Sequence, residues 1–91
     1  MANDTRRRAA ALHYEQGKGG APTLVAKGQG FIAEKILATA QQHGVPIHQD
    51  PALVDALSRL DLGEQIPTEL FSAVATVIAF IYRLKRQQES R

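Results

Sequence analysis

Apolar positions come first in short runs and later in longer periodic stretches. Ala9–Tyr14 and Leu24–Lys27 are brief apolar runs separated by a loop holding Gly17, Gly19 and Gly20. Glycines between two such runs predict a hairpin-like connection between two strands. By propensity the alanines of Ala9–Tyr14 favour helix, but the run is too short to be a stable helix alone. From Gln29 to His43 the period changes. Ile32, Ile36 and Ala40 form one stripe, and Ala33 and Leu37 lie beside it, the spacing of an amphipathic helix. Gly44 and Pro46 stop that helix, and Val45–His48 reads as another short strand. Thr23–Gln49 is therefore predicted as a strand–helix–strand unit with two parallel strands under a covering helix.

The second half of the chain is helical in pattern. Asp50-Pro51 predicts a helix start, with the carboxylate as cap and proline at the first helical position. Leu53, Val54, Leu57 and Leu60 give that helix an apolar face, and Gly63 follows it. Ile66-Pro67 opens a last and longest helix, with Leu70, Val74, Val77, Ile78 and Ile81 on a stripe widened by Phe71, Ala75 and Tyr82. The fold class that follows is α/β in the α+β sense. It comprises a small mixed sheet of three to four strands with a βαβ unit, wrapped by three to four helices. A flexible basic segment 1–8, a single domain 9–88 and a tail 89–91 make up the expected organisation.

Composition narrows the function classes. The 91 residues are 44% hydrophobic and include no cysteine, so neither a disulfide nor a thiolate metal site can form. Leu70–Leu84 is interrupted by Ser72, Thr76 and Arg83 and is shorter than the roughly 20 residues that span a bilayer. Arg6–Arg8 are followed by an apolar run of only Ala9–Leu12, which is not a signal peptide, and the chain is expected in the cytoplasm. The net charge of +2 is unevenly spread. Arg6, Arg7 and Arg8 lie at one end against Asp4, and Arg83, Lys85, Arg86 and Arg91 at the other against Glu89, while the other seven acidic residues lie between them. Basic ends are more often solvated tails than phosphate-binding surfaces, so a small nucleic-acid-binding module is an alternative of second rank.

Few residues suggest chemistry. Gly28-Gln-Gly30-Phe-Ile-Ala33 fits the dinucleotide fingerprint, with Asp50 about 20 residues further on. Glycines at a strand-to-helix turn more often serve backbone geometry, so a nucleotide-binding βαβ fragment ranks third. His13, His43 and His48 are spread over different elements without metal-ligand spacing. Ser58, Ser72 and Ser90 lack a nucleophile context. No cofactor, metal site or enzymatic activity is expected.

Six short motifs occur in one order: Ala11-Leu-His-Tyr14, Ala21-Pro22, Val25-Ala-Lys-Gly28, Gly44-Val-Pro-Ile47, Leu62-Gly-Glu-Gln-Ile-Pro67 and Leu70-Phe-Ser-Ala-Val-Ala75. Together they resemble the cytoplasmic C-terminal domain of the FlhB/YscU family, export-switch proteins of flagellar and virulence type III secretion. The resemblance covers roughly residues 9–85 and implies a small sheet wrapped by helices, with Ala9–Tyr14 a strand. It also implies a stand-alone counterpart of the downstream product of the family's self-cleavage at an Asn-Pro-Thr-His loop. Those four positions fall here on Asp4, Thr5, Arg6 and Arg7. Asp4 lacks the attacking amide and no proline follows it, so no autocleavage is expected.

The same resemblance implies a non-enzymatic protein-interaction module acting in substrate recognition or switching, or substituting for the corresponding segment of the full-length protein. Its expected partners are proteins of the export apparatus, including a full-length or truncated FlhB-like protein, and export substrates. No nucleic acid and no membrane insertion are expected, and the place of action is the cytoplasm, peripheral to the membrane export gate. Residue matching puts an apolar docking site on Ala21, Pro22, Ala75 and Ile78.

Overall fold

The computed structural model describes residues 7–15 and 20–89. Two strands, β1 (Arg8–His13) and β2 (Thr23–Gln29), are followed by helices α1 (Phe31–Gln42) and α2 (Pro51–Leu57). A 3-10 turn at Thr68–Leu70 then runs into helix α3 (Phe71–Glu89). The strands pair antiparallel as the glycine-rich connection predicts, from Arg8 opposite Gln29 to His13 opposite Thr23. Pairing overrides the helical leaning of the alanines, because six residues gain little as an isolated helix but a full ladder as a strand. A bulge between Ala11 and Leu12 leaves Val25 without a partner on β1, and its side chain is 52% exposed.

The two sheet faces carry different helices. On one, Gly28 is opposite Ala9, and α1 lies so close that a Cβ on Gly28 would stand 2.3 Å from Ile32 Cγ2. Ala9 and Ala33 are buried there, so small side chains set the short helix–sheet distance. On the other, Ala10 and Leu12 pack against the buried cluster Leu57, Ile66 and Val74, joined by Leu53, Leu60, Leu70 and Ile78. Lys27 reaches across this face and donates to the Ser58 carbonyl at 3.2 Å and to that of Leu60. A cation thereby satisfies carbonyls left free where α2 ends. Asp50 caps the other end, its carboxylate accepting from the Leu53 N–H at 3.1 Å, with Pro51 in the first turn.

The mixed α+β class holds, but among the described residues the sheet has two strands, and neither the parallel pair nor the βαβ unit forms. Val45–His48 makes no ladder. The Val45 N–H donates back to the Ala40 carbonyl at 2.9 Å, closing α1, and Pro46 has no N–H to offer. Val45 and Ile47 are exposed. The second side of β2 is instead covered by residues 63–66. Leu24 N–H donates to the Glu64 carbonyl at 2.9 Å, Gly63 N–H to the Leu24 carbonyl at 2.7 Å, and Ile66 N–H to the Pro22 carbonyl at 2.9 Å. A single bridge joins Thr23 to Gln65.

This corrects the nucleotide-binding reading as well. Without a second parallel strand there is no crossover unit of the kind that holds a dinucleotide. Gly30, at φ 61°, is explained by the turn into α1, and Gly28 by the closeness of Ile32. The mouth of that turn presents Phe31 and Ile32, 75% and 55% exposed, where a pyrophosphate would need polar groups. Ile32, expected on the core stripe of α1, lies mostly outside, against Gly28 on one side only, while Ala33 is the residue of α1 that is buried.

Candidate docking groove

Helix α3 touches the rest of the fold along one narrow side. Val74 is almost wholly buried, and Leu70 and Ile78 pack on the same cluster. The helix begins after Pro67 because the 3-10 turn closes with the Leu70 N–H donating to the Pro67 carbonyl at 2.9 Å. Next to the buried side, residues Phe71, Ala75, Ile78 and Tyr82 recur at spacings of four, three and four and form one wall of a groove. Tyr14, at the end of β1, and Gly20, Ala21 and Pro22, leading into β2, form the opposite wall. Val74 and Ala79 complete the lining. The groove measures about 480 Å³, within the roughly 300–1,000 Å³ of ligand clefts.

The four residues matched from the family resemblance, Ala21, Pro22, Ala75 and Ile78, are brought together on this groove. They are not equivalent. Pro22 is buried, and its carbonyl accepts from the Ile66 N–H. Ile78 is half-buried and belongs partly to the core. Ala21 is half-buried too, and Ala75 is exposed. Tyr14, Phe71 and Tyr82 also line the groove and were not singled out from the sequence. The signal for two of them was present, since Phe71 and Tyr82 share the stripe of Ala75 and Ile78. Tyr14 had no such signal, because its place depends on how β1 ends against α3.

The lining is apolar apart from the two tyrosine hydroxyls. Among the described residues, no group of three or more His, Asp or Glu side chains is placed to hold a metal ion. His43 stands at the C-terminal end of α1, and His48 packs edge-on against Phe80 with ring centres 6.0 Å apart. His13 lies 3.5 Å from Glu15 on the surface. Of the positions corresponding to the cleavage loop, Asp4, Thr5 and Arg6 lie outside the described residues. Arg7 is exposed, and its carbonyl accepts from the Gly30 N–H at 2.7 Å at the end of the strand pair. The arrangement can bind an apolar side chain or two. Among its described lining residues there is no carboxylate and no cation.

Residues 3–81 match the sequence profile of the FlhB HrpN YscU SpaS family. YlqH of Bacillus subtilis is 39% identical over 85 residues, 93% of this chain and 91% of that protein. The flagellar biosynthetic protein FlhB of Salmonella typhimurium is 46% identical over 77 residues, which are 84% of this chain but 20% of that protein. The crystal structure of the cytoplasmic domain of FlhB from Shewanella putrefaciens superposes with a TM-score of 0.86 at 35% identity, over 93% of this chain and 67% of that one. Among the described residues, no helix is long and apolar enough to cross a membrane. A profile match over most of the chain, relatives near 40% identity and a shared fold together establish that this chain belongs to the FlhB HrpN YscU SpaS family.

Proposed function

We propose that this chain is a non-enzymatic interaction module of the flagellar or type III protein export apparatus. It acts in recognition or switching of export substrates, or substitutes for the corresponding segment of FlhB. The observation that carries the reading is the apolar groove between the entry to β2 and helix α3, with Ala21, Pro22, Ala75 and Ile78 as its docking residues. A water-filled apolar groove this size gains free energy when a partner's apolar side chains replace the water. Its partners are export proteins, FlhB itself or a truncated form of it among them, and the place of action is the cytoplasmic side of the membrane export gate. The chain does not cleave itself, because Asp4 carries a carboxylate where the attack needs an amide nitrogen. Intact mass stays unchanged on long incubation, and a fragment beginning at Thr5 would sink that statement.

The test is complementation in a flagellated bacterium whose FlhB lacks the corresponding C-terminal segment. Expression of this chain should restore secretion of hook and filament subunits, and the double variant Ala21→Asp, Ala75→Asp should not. Ala75 is exposed and Ala21 only half-buried, and both are small, so the variant should fold like the parent. Equal restoration by parent and variant would remove the groove from the mechanism. No restoration by a soluble, folded parent would remove the substituting role.

A further inference from the structure

The groove wall on α3 does not end at Tyr82. Side chains three and four positions on share a helix face, so the stripe Phe71, Ala75, Ile78, Tyr82 continues into Lys85 and Arg86. Arg83 stands beside them, and all three are exposed. From Phe71 to Gln88 the helix has no acidic residue, and Glu89, its last residue, sets one negative charge against Arg83, Lys85 and Arg86. Among the described side chains, the charged contacts are those of Arg8 and Arg59 with Asp55 and of His13 with Glu15, and none engages these three cations. The start of α3 carries no such cation. Phe71 is preceded by Glu69, exposed in the 3-10 turn. The site is therefore apolar for about 16 Å along α3 and becomes cationic within about 6 Å more, at 1.5 Å per residue.

Resting on the docking reading above, we infer that the groove takes a protein segment with apolar anchors flanked by acidic residues, the acidic flank lying over Lys85 and Arg86. The apolar part supplies affinity and the charges supply direction, since a reversed segment would carry its acids away from Lys85 and Arg86. A duplex nucleic acid has no apolar side chains to seat between Tyr14, Phe71 and Tyr82. A lipid surface is flat where the groove is walled on two sides.

Fluorescent synthetic peptides test this with the intact chain. Each carries the apolar core Leu-Ala-Leu-Ala-Leu, flanked at either end by three glutamates or by three lysines. At low salt the better glutamate peptide should bind about fivefold tighter than either lysine peptide, the size expected of two exposed ion pairs. The gap should close in high salt. In the double variant Lys85→Glu, Arg86→Glu the preference should invert, while Ala75→Asp should weaken every peptide alike. Equal binding of glutamate and lysine peptides, or a preference untouched by the charge reversal, would overturn the inference and leave the groove standing. Failure of all peptides to bind, with phosphatidylglycerol vesicles bound instead, would overturn the docking reading along with it.

Discussion

The sheet with α1 and helix α3 solve opposite problems. Where α1 meets the sheet, the contacts are made by Ala9, Gly28 and Ala33, small residues that close the interface and leave no room for anything else. Along α3 the residues are larger and the closure is incomplete. Val74 is buried, but Phe71, Phe80 and Leu84 remain 43–47% exposed. Unsatisfied apolar area on a helix that already has a core side gains nothing for the monomer, and in a small domain it is the usual mark of a surface kept for a partner. The first region holds the fold together, whereas the second holds a face open.

That contrast can be broken from the structural side first. Leu24 is wholly buried, stands opposite Leu12 of β1, and gives its N–H and its carbonyl to residues 63–64. Leu24→Ala should cost about 3 kcal/mol, a large share of the stability of a domain this size, with urea unfolding as the readout. Lys27→Met keeps the volume but removes the donor to the carbonyls of Ser58 and Leu60, and should cost about 1–2 kcal/mol by the same measurement. At the other extreme, Ala75→Asp should shift the unfolding midpoint by less than about 0.5 kcal/mol while weakening partner binding. A loss of stability at Ala75 comparable to that at Leu24 would show that the groove wall is core, and the distinction between the two regions would fall. Removing the surface pair between Arg8 and Asp55, both nearly half exposed, should change least of all.

The elements themselves were legible because they depend on local signals. Asp50-Pro51 starts α2 through a cap that its own side chain makes, and the stripe of α3 follows from spacing alone. The groove was partly legible. Ala75 and Ile78 lie on that stripe with Phe71 and Tyr82, so one wall is a property of one helix. Of the other wall, Ala21 and Pro22 came from the family resemblance alone and Tyr14 from no signal, because these residues reach α3 only when β1 and β2 have paired. The parallel strand predicted at Val45–His48 failed for a related reason. A β-branched run is neutral about whether a partner edge is available, and here residues 63–66 occupy the side of β2 near Leu24.

What the sequence by itself determined is the set of strands and helices up to that point, the absence of thiol chemistry, and the charge carried at the end of α3. These are set by side chains acting on their own backbone or by counting. The tertiary structure decided which edges of β2 are paired and that small residues bring α1 down on Gly28. It also decided that the entry to β2 faces α3 across an apolar gap leading to Lys85 and Arg86. Those depend on contacts between residues far apart in the chain, which only the packing of the whole domain brings into existence.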